Sequence, residues 1–276
     1  MSALTDYAET QIITHLFRTG SFAKPATLYF ALFTTLPVDA GTGGVEVSGT
    51  NYARVPVAGA NANFNAPIDA TPGRKTANTN AITFNAPGVT TPWGTVIGYG
   101  VFDSASGGNL LAYGTLTASK TIGVSDPAPE FPTGAFVFTS RLGTTALNDK
   151  IIDHIFRTTA LTKPTNLYFS LYTTAPTDAG GGTELTIGTG GYNRVAVVPL
   201  DTNFALPIAG DGHTENSNAI TFGTPSTAWG LITAVGVFDA ATAGNLLIWA
   251  SFTGVNVNSG DAQPKIAAGQ FDYTVA

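Results

Sequence analysis

The sequence predicts a mainly β fold: two tandem β-sandwich domains, each with one short N-terminal helix. Three observations carry this. The chain is written twice, each copy opens with one helical pattern, and the rest of each copy is short apolar runs cut by turn residues. Phe17-Arg18-Thr19, Lys24-Pro25, Leu28-Tyr29-Phe30 and Asp39-Ala40-Gly41 return 139 residues later as Phe156-Arg157-Thr158, Lys163-Pro164, Leu167-Tyr168-Phe169 and Asp178-Ala179-Gly180. Trp93-Gly94 and Gly100-Val101-Phe102-Asp103 return 136 residues later as Trp229-Gly230 and Gly236-Val237-Phe238-Asp239. A period this long exceeds that of solenoids and propellers, so the repetition is domain duplication. The expected domains are 1–141 and 142–276, each of ordinary domain size and long enough to bury its own core.

Taken in order, each copy begins with a helix. In the second copy Leu147, Ile151, Ile152 and Ile155 fall on one helical face, with Asn148 or Asp149 available as the cap. In the first copy Leu4, Ala8, Ile12 and Leu16 match, with Thr5 or Asp6 as cap, and Gly20 is placed to take the left-handed position after the last turn. The run 27–34, aromatic and apolar without a charge, suits a strand buried on both faces. Strands are expected at 52–57, 81–84, 95–103, 110–116, 120–123 and 135–139, separated by Gly, Pro, Asp and Ser clusters. The join at 140–146 is short and moderately apolar, unlike a flexible Gly/Ser linker, so the copies are expected to pack in a fixed relation.

Composition excludes several function classes. Charged residues are 11 % of the chain, against about 25 % in ordinary soluble domains. Mean hydropathy is positive at +0.17, yet no stretch approaches the roughly 18–20 apolar residues of a membrane helix. Two readings cover such a surface: uncharged Thr, Asn, Ser and Gly on a monomer, or subunit contacts, whose cores are depleted in charge. The net charge is −6; residues 1–142 carry 7 basic and 8 acidic groups, and residues 143–276 carry 5 and 10. With no basic patch, no nucleic-acid partner is expected. Cysteine is absent, which excludes disulfides and thiolate metal sites. The N-terminus lacks a signal-peptide pattern, so synthesis in a cytoplasm without export by that route is expected.

Candidate sites are few, and no cofactor is implied. His15 and His154 are equivalent, and no His-x-x-x-His or His-Glu pair accompanies either, so packing or hydrogen-bonding roles are expected. Asp39 with Glu46, and Asp178 with Glu184, flank Gly-rich turns and are weak calcium candidates, since Ca²⁺ takes six to eight oxygens; plain turn chemistry competes. The Gly-rich loops lack the Lys-Ser/Thr of a phosphate loop, and no Gly-x-Ser-x-Gly elbow is present. Trp93 and Trp229, with Arg54 and Arg194 after Tyr52 and Tyr192, read as core or interface anchors.

The run Leu-Tyr-Phe-Ala-Leu-Phe-Thr-Thr-x-Pro-x-Asp-Ala-Gly (28–41), Tyr-Ala-Arg-Val (52–55), Asn-Ala-Ile-Thr-Phe (80–84), Trp-Gly-Thr-Val (93–96), Gly-Val-Phe-Asp (100–103) and Gly-Gly-Asn-Leu-Leu (107–111) resembles bacteriophage virion structural proteins of the tail-fibre or minor structural type. The chain departs from a single unit by its duplication and by an insertion-like stretch, 61–75, which diverges from 201–215. The resemblance implies a β-rich part of a virus particle, made in the host cytoplasm, and brings no catalytic residues. The expected function is a non-enzymatic virion structural protein: a tail or neck fibre, collar or capsid-decoration component. Its expected partners are itself, as a symmetric homo-oligomer, and other virion proteins. A ring of n such chains would offer 2n similar units. The alternative is an adhesin module binding a host-surface glycan, with Trp93 as a stacking ring.

Overall fold

The structure, a computed structural model, describes residues 2–88, 90–205 and 212–275. The first repeat contains β1 (Ser2–Leu4), α1 (Asp6–Phe17), β2 (Thr27–Thr35), β3 (Val45–Glu46), β4 (Val55–Ala58), β5 (Ile68–Asp69), β6 (Arg74–Ala77), β7 (Ile82–Thr83), β8 (Gly94–Phe102), β9 (Leu110–Ile122), β10 (Glu130–Phe131) and β11 (Val137–Ser140). The second contains α2 (Thr145–Phe156), β12 (Leu167–Thr174), β13 (Thr183–Glu184), β14 (Val195–Val197), β15 (His213–Glu215), β16 (Ile220–Thr221), β17 (Gly230–Phe238), β18 (Leu246–Val257), β19 (Lys265–Ile266) and β20 (Asp272–Thr274).

Each repeat is a sandwich of one large antiparallel sheet and two small ones. The large sheets run β1-β9-β8-β2-β3, with β4 also on β2, and β13-β12-β17-β18, with β14 also on β12. The small sheets are β11-β6-β5 and β10-β7 in the first repeat, and β15-β20 and β16-β19 in the second. The apolar run at the start of β2 explains why it sits centrally. Its inward residues Leu28, Phe30 and Leu32 are buried against the small sheets, with Phe30 edge-on to Phe136 at 4.9 Å. Its outward residues Ala31 and Phe33 are buried too, under Phe102 and Leu110.

Both helices form where the apolar spacing places them, and their burial shows what lies around them. Seven of the twelve residues of α1 are buried, among them Ala8, Ile12, Ile13, Leu16 and Phe17. A surface helix buries one stripe; burial this wide needs cover on two sides. The first cover is the large sheet of the helix's own repeat: α1 lies on β9, and α2 on β18. The second comes from the other repeat, because α1 also packs on β15, and α2 on β6 and β11. The helices are therefore exchanged, and one continuous apolar core runs through both repeats. Each copy is long enough to bury a core of its own, yet the buried residues of the two form one cluster.

Other local expectations are corrected. The cap of α2 is Thr144, whose hydroxyl accepts from Leu147 N at 3.4 Å. Asn148 lies inside the helix and bonds the join instead, accepting from Ser140 Oγ and Leu142 N at 2.7 Å each. Thr5 caps α1, and Gly20 is not left-handed there; a Cβ at Gly20 would meet Thr14 Cγ2 at 2.3 Å, so a larger residue would displace the Thr14 side chain. The expected strands 110–116 and 120–123 are one strand, β9, because Gly98 faces Thr115 while Val96 faces Lys120, so 116–119 bulge out. The insertion-like stretch 61–75 supplies β5 and the start of β6; of its counterpart 201–215, residues 206–211 lie outside the described residues.

Candidate functional site

Three constellations among the described residues gather many of the repeated and charged side chains. The first is the seam between repeats. Phe17, at the end of α1, fills a pocket of Phe204, Phe271 and Tyr273 in the second repeat, with ring centroids 5.2, 5.8 and 5.4 Å away. Its equivalent Phe156, at the end of α2, sits 5.3, 5.7 and 4.8 Å from Phe64, Phe136 and Phe138 in the first. Arg18 donates to Phe204 O, and Arg157 donates to Phe64 O. Thr19 N donates to Asp201 Oδ1 at 3.1 Å, and Thr158 N to Asn61 Oδ1 at 3.2 Å. Such reciprocity is the mark of an isologous contact, so a pseudo-two-fold relates the repeats.

His15 and His154 meet on that pseudo-axis, with ring centroids 5.9 Å apart. Each Nδ1 accepts a backbone N–H at 3.0 Å, from Phe22 and Leu161 respectively. That leaves the neutral ring's proton on Nε2. Nε2 of His15 meets Leu161 O at 3.0 Å, whereas Nε2 of His154 has no partner among the described residues. Burial lowers the pKa of His15, and burial followed by the His15 and Lys24 charges pushes that of His154 down to about 4.

The second constellation is a clamp present in both repeats. Arg54 donates Nε and Nη2 to the two oxygens of Glu46 at 3.0 and 2.8 Å, and Nη1 to Ser104 O and Gly107 O at 2.9 and 2.8 Å. Its guanidinium lies 3.4 Å over the Phe102 ring. Arg194 does the same with Glu184 (2.8 and 2.7 Å), Ala240 O and Ala243 O (2.8 Å each), and lies 3.4 Å over Phe238. Tyr52 and Tyr192 donate to the same carboxylates at 2.8 and 3.1 Å; burial raises the pKa of both phenols. Trp93 and Trp229 stand edge-on to these tyrosines at 5.2 and 5.5 Å. They are 3 % and 6 % exposed, and their N–H groups donate to Thr50 O and Gly190 O at 2.9 and 2.8 Å.

The clamp also accounts for two of the weak calcium candidates, Glu46 and Glu184. Glu46 and Glu184 are engaged by an arginine and a tyrosine each, so the structure does not join them to Asp39 and Asp178. Asp39 instead forms the third constellation with Asp6 and Glu9: one carboxylate oxygen from each lies within 4.8 Å of the others. Glu9 is 4 % exposed, and burial, then Asp39 and Asp6, push its pKa up to about 7. Sequence reasoning missed Asp6 and Glu9. The available signal was a Glu on the buried face of α1 where the equivalent residue of α2 is Asn148.

Outside these constellations, a groove lies between the bulged half of each long strand and the strands that close the sandwich. In the second repeat it measures about 820 Å³ and is lined by Trp249, Phe252, Val255, Ile266 and Tyr273 among others. No helix among the described residues is long and apolar enough to cross a membrane.

A family model for podophage GP4 fiber I protein gp80 matches the chain twice, over residues 3–139 and 143–274. The chain belongs to this family. Both copies of the fibre-family unit are present in tandem, and the family is of the virion class that the motif order resembles. A fibre family gives the chain a structural role in the virus particle. A search of curated proteins finds no match.

Proposed function

We propose that this fibre-family chain is a non-enzymatic component of the phage particle that acts by assembly, with itself and with other virion proteins, and that it is made in the host cytoplasm. The family match over both repeats carries the reading. The geometry supports it in two ways. The arginines, tyrosines and tryptophans that recur between repeats spend their polar groups on internal bonds, as scaffold residues do. The second repeat also exposes Leu231, Phe252 and Val255 at 48 %, 43 % and 57 %, next to its groove. An apolar rim of this kind marks a contact surface.

Repeats 1–141 and 142–276 are, in this reading, units of assembly that share one core. Residues Trp93, Trp229, Arg54 and Arg194 act as core anchors. A tail-fibre, neck, collar or capsid-decoration position fits equally. The glycan alternative would have to use another ring, since Trp93 is buried. Replacing Leu231, Phe252 and Val255 together by Ser tests the reading. Light scattering is expected to show a closed oligomer for the parent chain and a smaller species for the variant, with the melting temperature unchanged. A monomeric parent that is also missing from electron-microscopy maps of the particle would overturn it.

A further inference from the structure

The first turn of α1 carries charges that the fold does not require. The two repeats share the backbone here: Asp6 N donates to Asp39 O at 3.1 Å, and Thr145 N to Asp178 O at 2.8 Å. In the second repeat the surrounding side chains are bonded, and Asp178 is the one acidic group among them. Asn148 uses both ends of its amide, accepting from Ser140 and Leu142 and donating to Gly143 O at 2.8 Å, and Asp178 accepts from Trp249 Nε1 at 3.1 Å. The first repeat has Asp6 in place of Thr145, Glu9 in place of Asn148, and Tyr113 in place of Trp249.

Three carboxylates thus converge where the second repeat has one. More than nine-tenths of Glu9 is buried, one of its carboxylate oxygens lies within 4.8 Å of those of Asp6 and Asp39, its Oε2 faces Gly212, and it takes no hydrogen bond among the described residues. Asp6 Oδ1 is likewise buried with no partner among the described residues. Asp39 is exposed, which gives the cluster an opening to solvent. Buried carboxylates gathered in this way are stable when they share a proton or hold a cation.

We propose that Asp6, Glu9 and Asp39 bind a divalent cation, calcium by preference, at a site found only in the first repeat. An all-oxygen donor set with no nitrogen or sulfur suits a hard cation and disfavours zinc and copper. Water supplies the remaining ligands from the Asp39 side. The ion ties the turn that holds Asp39 to the start of α1, and so to the helix that enters the second repeat.

The test uses the full chain stripped with chelator and melted at about pH 8 with increasing CaCl₂ or MgCl₂. Calcium is expected to raise the melting temperature with saturation, as ligand binding to the folded state requires, and calorimetric titration should give one site per chain. Glu9→Gln mimics the amide at Asn148, so it should fold, melt higher than the parent in chelator and lose the calcium response. Asp39→Asn should also lose that response. No shift and no heat with millimolar calcium in the parent would overturn the proposal. An undiminished calcium response in the folded Glu9→Gln and Asp39→Asn chains would do so equally.

Discussion

His154 and Glu9 are buried groups whose effects on stability run in opposite directions with pH. The folded chain holds His154 at about 4, below its ordinary 6.5. The unfolded chain therefore binds a proton that the folded chain refuses, and stability from this group is complete above pH 6.5 and lost as pH falls toward 4. Glu9 is held at about 7, above its ordinary 4.5, so its contribution is complete below pH 4.5 and lost as pH rises through 7. Glu9→Gln isolates the histidine limb. In chelator, its denaturant midpoint is expected to fall between pH 6.5 and 4, while its advantage over the parent grows between pH 4.5 and 7 and levels off above 7. A flat profile between pH 6.5 and 4 would remove His154 as the titrating group. Lys24 and Lys163 stand near the pair and add positive charge, which makes protonation there costlier. The equivalence of His15 and His154 was legible in the sequence. Their meeting was not, because it depends on how two helices 139 residues apart are brought together.

The helices are the elements whose existence the sequence states and whose partners it conceals. Apolar spacing marks one face of each, yet burial extends to Glu9 and His15 in α1 and to Asn148 and His154 in α2, because a second layer covers them. That layer belongs to the other repeat, and nothing in local periodicity distinguishes it from the helix's own. Phe156→Ala makes this measurable. Emptying a fully buried Phe site costs about 3–5 kcal/mol, and the cavity opens among Phe64, Phe136 and Phe138 of the first repeat. Hydrogen exchange is expected to quicken in β6 and β11, although the substitution lies in the second repeat. Faster exchange confined to the second repeat's own strands would contradict the exchange of helices. The strands were legible where runs were long, as at β2 and β8. The two-residue strands β3, β5 and β10 were harder to read, since pairs that short are fixed by their partners.

The whole molecule behaves as a dimer folded from one chain. An isologous relation between repeats changes the symmetry arithmetic: a ring of n such chains would carry pseudo-two-folds across its axis, whereas a 2n-fold ring needs its units related head to tail. A protease site placed within 141–143, then cut, tests the shared core directly. The two fragments are expected to co-elute under native conditions and to separate in denaturant. Fragments that part without denaturant would show that the exchanged helices do not bind the repeats together. The apolar groove and exposed Phe252 of the second repeat, against the acidic cluster of the first, make the halves unequal in surface while alike in scaffold.

The sequence by itself determined the duplication, the β class, the two opening helices and the recurring anchors, because each is written in local spacing and in residue identity repeated at a fixed shift. The tertiary structure decided which repeat covers each helix, which carboxylates gather, and which tyrosine and arginine occupy Glu46 and Glu184. The helix cover and the approach of Asp39 to Asp6 and Glu9 are long-range pairings that no short window of sequence contains; the clamp partners lie within a few residues of one another, but only the folded loop turns the arginine and tyrosine onto the same carboxylate.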